Sequence, residues 1–414
     1  MKLHIGVEND NGQKSIADRI RSSKMRTILR IAVFCGMLMA LFTANYKSFW
    51  NLVLQERAQN KDILQKIQAV ETDFQASVDR REDFINLYGV ALNALNQKII
   101  GDFEFVKDSD GIIQLYEKQH DANGFLGSVE ELKQYLDRVG TPLIYVALPD
   151  KGRNLKLDGL TFNWQMSKKV GEMLTGKVDI LDVETLMESE PDAPAFSEFF
   201  FKTDLHAATC AEFWVAKLLA RHLEQAYDLH FANAQTVFDL SNYAISSYDF
   251  FGGNARSAGK YFAGLDDFEI YIPDFETKLE LNNPSSELTR TGDFENVMMN
   301  GYTEPTDGSY MYWVTDFAQY PSPYYRYINH AVPEDAPNVL IICDSVFLRG
   351  LSYLTLGCSG LTVLDPRTFS GTEYVESTLM EQHYDAVIMI GLDGFYYMSS
   401  FKSPKSLPDS SKSE

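Results

Sequence analysis

The sequence predicts an α/β domain built on a doubly wound parallel sheet with helices on both faces. Five short apolar runs point to it: Leu143–Leu148, Val178–Leu181, Val339–Ile342, Leu361–Leu364 and Ala386–Ile390. They are continuous instead of alternating, the pattern of strands buried on both sides. Helical stretches separate them, and each ends at a polar, Pro- or Gly-containing turn, which gives the strand–helix alternation of an α/β sheet.

The N-terminal part has a different character. Residues 1–26 form a basic segment in which Arg19, Arg21, Lys24 and Arg26 crowd together. An uncharged run, Ile31–Ala44, follows and is flanked by Tyr46, Lys47, Phe49 and Trp50. With snorkelling ends, residues 27–50 make a single transmembrane signal anchor, and the positive-inside rule puts the N-terminus in the cytoplasm and the rest outside. A cleaved signal peptide is the main competing reading, but Phe42 stands where a cleavage site wants a small residue. Residues 51–100 read as a helical stalk, because Ile63, Ile67, Val70, Phe74 and Val78 recur at three and four without an intervening Pro.

The extracytoplasmic domain is expected over residues 101–400. Within it, 235–327 departs from the α/β pattern and reads as a β-rich insertion, and 401–414 has the composition of a disordered tail. The chain carries 37 basic and 58 acidic residues, a net charge of -21, which argues against nucleic acid as a partner. One of four cysteines, Cys35, lies in the anchor, so Cys210, Cys343 and Cys358 cannot complete a disulfide set.

The chemistry-bearing candidates come from two segments. In NVLIICDSVFL (338–348) a buried strand runs straight into Asp344 and Ser345 at the start of a helical segment. Ligands bind at that edge of an open α/β sheet, and helix-start amides there can hold an oxyanion. An Asp–Ser pair at such a place also serves as a helix N-cap. A nucleophilic serine needs a base, and the base an orienting group. His206 in FFFKTDLHAAT (199–209) lies two residues from Asp204, close enough for a carboxylate to fix the ring. GNARSAGK (253–260) is not a phosphate loop: five residues separate its glycines and Tyr261 stands where Ser or Thr is needed. No zinc ligand set is present, and no cofactor is expected. Tyr310, Tyr312, Trp313, Phe317, Tyr320, Tyr324, Tyr325 and Tyr327 suit either sugar-ring packing or cross-strand pairing.

Asp-x-His followed by strand-Asp-Ser resembles the AlgX and AlgJ type of polysaccharide O-acetyltransferase and the DHHW-type proteins, which share an SGNH hydrolase-like, flavodoxin-like three-layer domain. VALPDK (146–151), the segment 248–275 and LDPR (364–367) are similar to further parts of that family. The resemblance covers roughly residues 85–395 and implies Ser345 as nucleophile, His206 as base and Asp204 as its orienting group. Arg367, Asn254 and Asp344 are candidates for oxyanion or substrate contacts. Two positions depart from the pattern: Cys343 replaces the usual Gly before Asp-Ser, and Ala207 the usual Trp after the His. The implied activity is acyl-enzyme O-acetylation of a cell-surface or exported polysaccharide, with a membrane-bound O-acyltransferase (MBOAT-type) as acyl supplier. A carbohydrate esterase of the same mechanism and a non-catalytic glycan-binding scaffold protein stay open as alternatives.

Overall fold

The computed structural model describes residues 81–100, 105–108, 111–114, 122–153, 155–157, 160–162, 166–283, 288–299, 324–365, 378–379 and 382–391, with scattered positions between 28 and 55. Among the described residues no helix is long and apolar enough to cross a membrane. The anchor expected over 27–50 lies only partly within them. Residues 56–80 of the expected stalk, Arg367, Tyr310–Tyr320 and the 401–414 tail lie outside them.

The chain divides into residues 1–97 and 98–414. Helix α1 (Arg81–Ala94) belongs to the first. The helical reading to residue 100 therefore runs too far. Asn96 adopts a left-handed φ of 49°, which Asn tolerates and which stops the helix, and Ile99–Ile100 are already a strand.

The second unit opens with an antiparallel sheet of β1 (Ile99–Ile100), β2 (Phe105–Asp108) and β3 (Gly111–Gln114). Helix α2 (Ala122–Val139) leads to β4 (Leu143–Ala147), the hairpin β5 (Leu155–Leu157) and β6 (Leu160–Phe162), α3 (Met166–Leu174) and β7 (Asp179–Asp182). Then come α4 (Val183–Ser189), α5 (Phe196–Phe199), α6 (Thr209–Tyr227), α7 (Ala234–Val237) and β8 (Tyr243–Phe250). Next are α8 (Gly253–Arg256), α9 (Lys260–Ala263), β9 (Asp266–Pro273), β10 (Leu279–Asn283), β11 (Leu288–Gly292) and α10 (Phe294–Met298). The last elements are β12 (Tyr324–Asn329), β13 (Asn338–Cys343), α11 (Leu348–Thr355), β14 (Gly360–Leu364) and β15 (Ala386–Gly391).

Among the described residues, eight strands form the main sheet in the order β11-β10-β12-β14-β13-β15-β4-β7. The five apolar runs are its parallel part, β14-β13-β15-β4-β7. β13 sits between β14 and β15, and β4 lies beyond β15. Alternate residues of each strand feed two cores, which is why the runs are apolar throughout. Leu143, Tyr145, Leu340, Ile342, Val387 and Met389 pack on α2 through Val129, Leu132 and Leu136 and on α3 through Val170 and Leu174. Ile144, Val146, Val339, Ile341, Ile388 and Ile390 share the other core with Val215, Leu218 and Leu219 of α6 and Leu351 and Leu354 of α11.

The described strands of the region 235–327, expected as a β-rich insertion, divide between two sheets. β8 and β9 form a separate antiparallel pair, whereas β10 and β11 extend the main sheet through β12, which runs antiparallel to β14. Tyr325 and Tyr327 are buried core residues with rings 5.5 Å apart, edge to face, so these two serve packing.

Candidate active site

β13 delivers Ser345 to the C-terminal edge of the sheet. The strand ends at Cys343, and Ser345–Phe347 form a single 3₁₀ turn leading into α11. Asp344 caps that turn: its Oδ1 accepts the Val346 N–H at 2.9 Å. The cap reading thus holds for Asp344, and the Val346 amide is committed to it.

His206 arrives on a tight loop between α5 and α6. Phe200 and Ala207 bridge antiparallel, the Phe201 N–H donates to the His206 carbonyl (3.2 Å) and the Ala208 N–H to that of Phe199 (2.8 Å). The aromatic run before it is an anchor. Phe199, Phe200 and Phe201 are buried, and Phe201 stacks on Phe268 of β9 at 5.5 Å.

The two segments meet across 139 residues of sequence. His206 Nε2 lies 3.1 Å from Ser345 Oγ, and His206 Nδ1 lies 2.5 Å from Asp204 Oδ1. The same Oδ1 accepts the His206 backbone N–H (3.1 Å), and Oδ2 accepts that of Gly253 (2.6 Å). Burial opposes the charge on Asp204. The hydrogen bond and charge of His206, with the Gly253 and His206 amides, outweigh it and hold the carboxyl well below its ordinary range.

Residues that look ordinary one by one in the sequence wire this loop. Asp266 at the start of β9 accepts the amides of Lys202 (2.8 Å) and Thr203 (2.7 Å) and the Thr203 hydroxyl (2.5 Å). The Gly252 N–H donates to Thr203 Oγ1 at 3.0 Å. A Cβ on Gly252 would sit 2.5 Å from Asp204 Cβ and 2.7 Å from the Thr203 carbonyl oxygen, so only glycine lets the two loops approach.

Lys151, after β4, donates to four carbonyls: Phe201 (2.7 Å), Asp204 (2.8 Å), Ile112 (2.9 Å) and Lys202 (3.3 Å). One ammonium thus gathers the Asp204 loop onto β3 and the end of β4. Lys151→Met is expected to cost about 2–3 kcal/mol from lost charge-assisted bonds. Displacement of the loop is expected to cut turnover roughly 10²-fold. Thermal melts and ester-hydrolysis rates check both, and an unchanged rate in a folded variant would refute the clamp.

The Asn254 amide donates to the Ile112 carbonyl of β3 at 3.4 Å. Cys343 is 1 % exposed and packed in the core shared by α6 and α11, so its side chain fills space below the nucleophile turn. Neither Lys151 nor the Arg349–Glu212 pair described below stood out as a functional residue in sequence; a lysine one turn past a buried strand was the one available signal.

Together these features define an α/β domain that holds a serine, a histidine and an aspartate in line at the C-terminal edge of its sheet. No known protein family and no curated protein matches the sequence. The fold is nevertheless similar to solved structures. Bacillus cereus PatB1 with a sulfonyl adduct aligns with a TM-score of 0.57 at 12% identity, covering 72% of this chain and 97% of that one. A DHHW family protein from Eubacterium siraeum aligns at 0.51 and 13%, covering 74% and 100%. The O-acetyltransferase domain of Pseudomonas putida AlgJ aligns at 0.39 and 12%, covering 76% and 95%. The chain has the fold of PatB1 and the DHHW protein, which agrees with the SGNH hydrolase-like type that its motifs resemble.

Proposed function

We propose that this protein is a serine O-acyltransferase that acetylates a cell-surface polysaccharide through an acyl-enzyme. The observation that carries the reading is the Asp204–His206–Ser345 line, with 2.5 Å and 3.1 Å between successive partners. Such an arrangement activates a hydroxyl.

In the first half-reaction Ser345 Oγ attacks the carbonyl of an acetyl donor while its proton passes to His206 Nε2. The donor's leaving group departs with that proton, and the acetyl group remains on Oγ. In the second half a sugar hydroxyl attacks the acetyl-serine, gives its proton to His206, and leaves as the acetate ester while Ser345 regains its proton. Asp204 orients the ring and stabilises the imidazolium formed in each half. Water in place of the sugar would make the same site an esterase. The resemblance of the two motifs to the AlgX and AlgJ type of O-acetyltransferase supports the choice of transfer, as an analogy of family.

The basic residues before Ile31 and the apolar run after it support a membrane-anchored domain facing outward, where polysaccharide is found and a membrane O-acyltransferase could supply the acetyl group. For the chemistry, the test is a sulfonyl fluoride, a reagent that captures activated serines. One equivalent is expected to attach to Ser345 in peptide mass mapping, and prior acetylation by p-nitrophenyl acetate is expected to slow it. Labelling elsewhere, or none, contradicts the reading. Acetyl transfer is then scored against hydrolysis with an oligosaccharide acceptor present.

A further inference from the structure

A buried ion pair lies behind the catalytic line and touches both of its halves. Arg349 is on α11, four residues after Ser345, and Glu212 is in the first turn of α6, shortly after His206. Their side chains are 2% and 1% exposed. The Arg349 guanidinium donates to Glu212 Oε1 and to the carbonyl of Ala207, the residue that follows His206. The Gly350 N–H donates to Glu212 Oε2 at 2.8 Å. The guanidinium also lies 5.2 Å from the ring centres of Phe201 and Phe268, and Phe201 belongs to the loop carrying His206.

We propose that Arg349 and Glu212 are positioning residues that lock the backbone beside His206 to the helix begun by Ser345 and so set the distance for proton transfer. This rests on the reading of Ser345 and His206 as nucleophile and base. Stability alone does not account for the pair. Desolvating two charges is costly, and well-packed apolar residues of similar volume often hold a core as well or better. Arg349 Nε, moreover, is buried with no acceptor among the described residues. What the pair supplies and an apolar contact does not is direction. Its bonds fix two backbone segments at defined angles, whereas Leu and Met side chains can slide. Burial pushes the Glu212 carboxyl upward, against the pull of Arg349, the Gly350 amide and His206.

The test separates positioning from support. Arg349→Met and Glu212→Leu are made singly and together in the full chain and assayed with p-nitrophenyl acetate. Each single variant leaves an uncompensated buried charge and is expected to melt at lower temperature. The double variant is expected to melt at or above the parent, with kcat 10- to 100-fold lower and KM within twofold. A double variant that regains both melting temperature and kcat overturns the proposal, since the pair would then be support alone. A parent without Ser345-dependent turnover would count against the serine reading instead. The latch is then judged by the NMR resonance of the His206 Nδ1–H proton on Asp204. Displacement or broadening of that line in the double variant is the expected result, and an unchanged line overturns the latch.

Discussion

Ser345→Ala is expected to lower acetyl release from p-nitrophenyl acetate by at least 10³-fold while leaving the fold intact. The substitution removes one oxygen at the end of β13. The strand, its pairings with β14 and β15, and the Asp344 cap all depend on other atoms. The loss therefore reports chemistry, because without Oγ no acyl-enzyme forms and only binding and polar stabilisation of water attack remain. Circular dichroism and melting temperature should match the parent, and the sulfonyl fluoride label should vanish. The neighbouring Cys343 is the rival nucleophile in sequence, but it is buried in the core, so thiol reagents should leave activity untouched. Full activity in Ser345→Ala, lost on thiol modification, would transfer the role to Cys343.

The parallel half of the sheet was legible because strands buried on two faces leave continuous apolar runs. β10 and β12 were not assigned to that sheet. Leu279 and Leu281 alternate with Glu280 and Asn282, a five-residue signal that fits a surface hairpin equally well. β12 pairs with β14, which begins 31 residues after it ends, a separation at which local pattern carries no information about partners. The site divides in the same way. Asp204, His206 and Ser345 were visible as local motifs, and the resemblance joined them in advance of any distance. Lys151, Asp266, Gly252, Arg349 and Glu212 were not visible as a set, since each acts through contacts with residues 39 to 142 positions away. A buried Arg–Glu pair in particular looks in sequence like two surface charges on amphipathic helices.

Asp204→Asn is expected to lower kcat by about 10³- to 10⁴-fold with KM little changed, as for a triad whose orienting carboxylate becomes an amide. Both oxygens of Asp204 accept N–H groups, Oδ1 from His206 and Oδ2 from Gly253. An amide offers one acceptor and one donor, so one partner is lost whichever way it turns. If its NH₂ faces His206, Nδ1 must accept, the ring proton moves to Nε2, and the base can no longer take the Ser345 proton. If its NH₂ faces Gly253, two donors confront each other in a buried site, at a cost of about 1–3 kcal/mol. The parent carboxyl is depressed in the folded state relative to about 3.9 in an unfolded chain. On acidification the unfolded chain takes up this proton first, so the stability that Asp204 contributes is complete above about pH 5 and declines as pH falls toward the folded value. The amide of the variant has no such proton to bind. The difference in melting temperature between parent and variant should therefore narrow from pH 7 to pH 3; a gap that stays constant or widens on acidification would mean that the Asp204 carboxylate is not held by His206 and Gly253 as the structure has it.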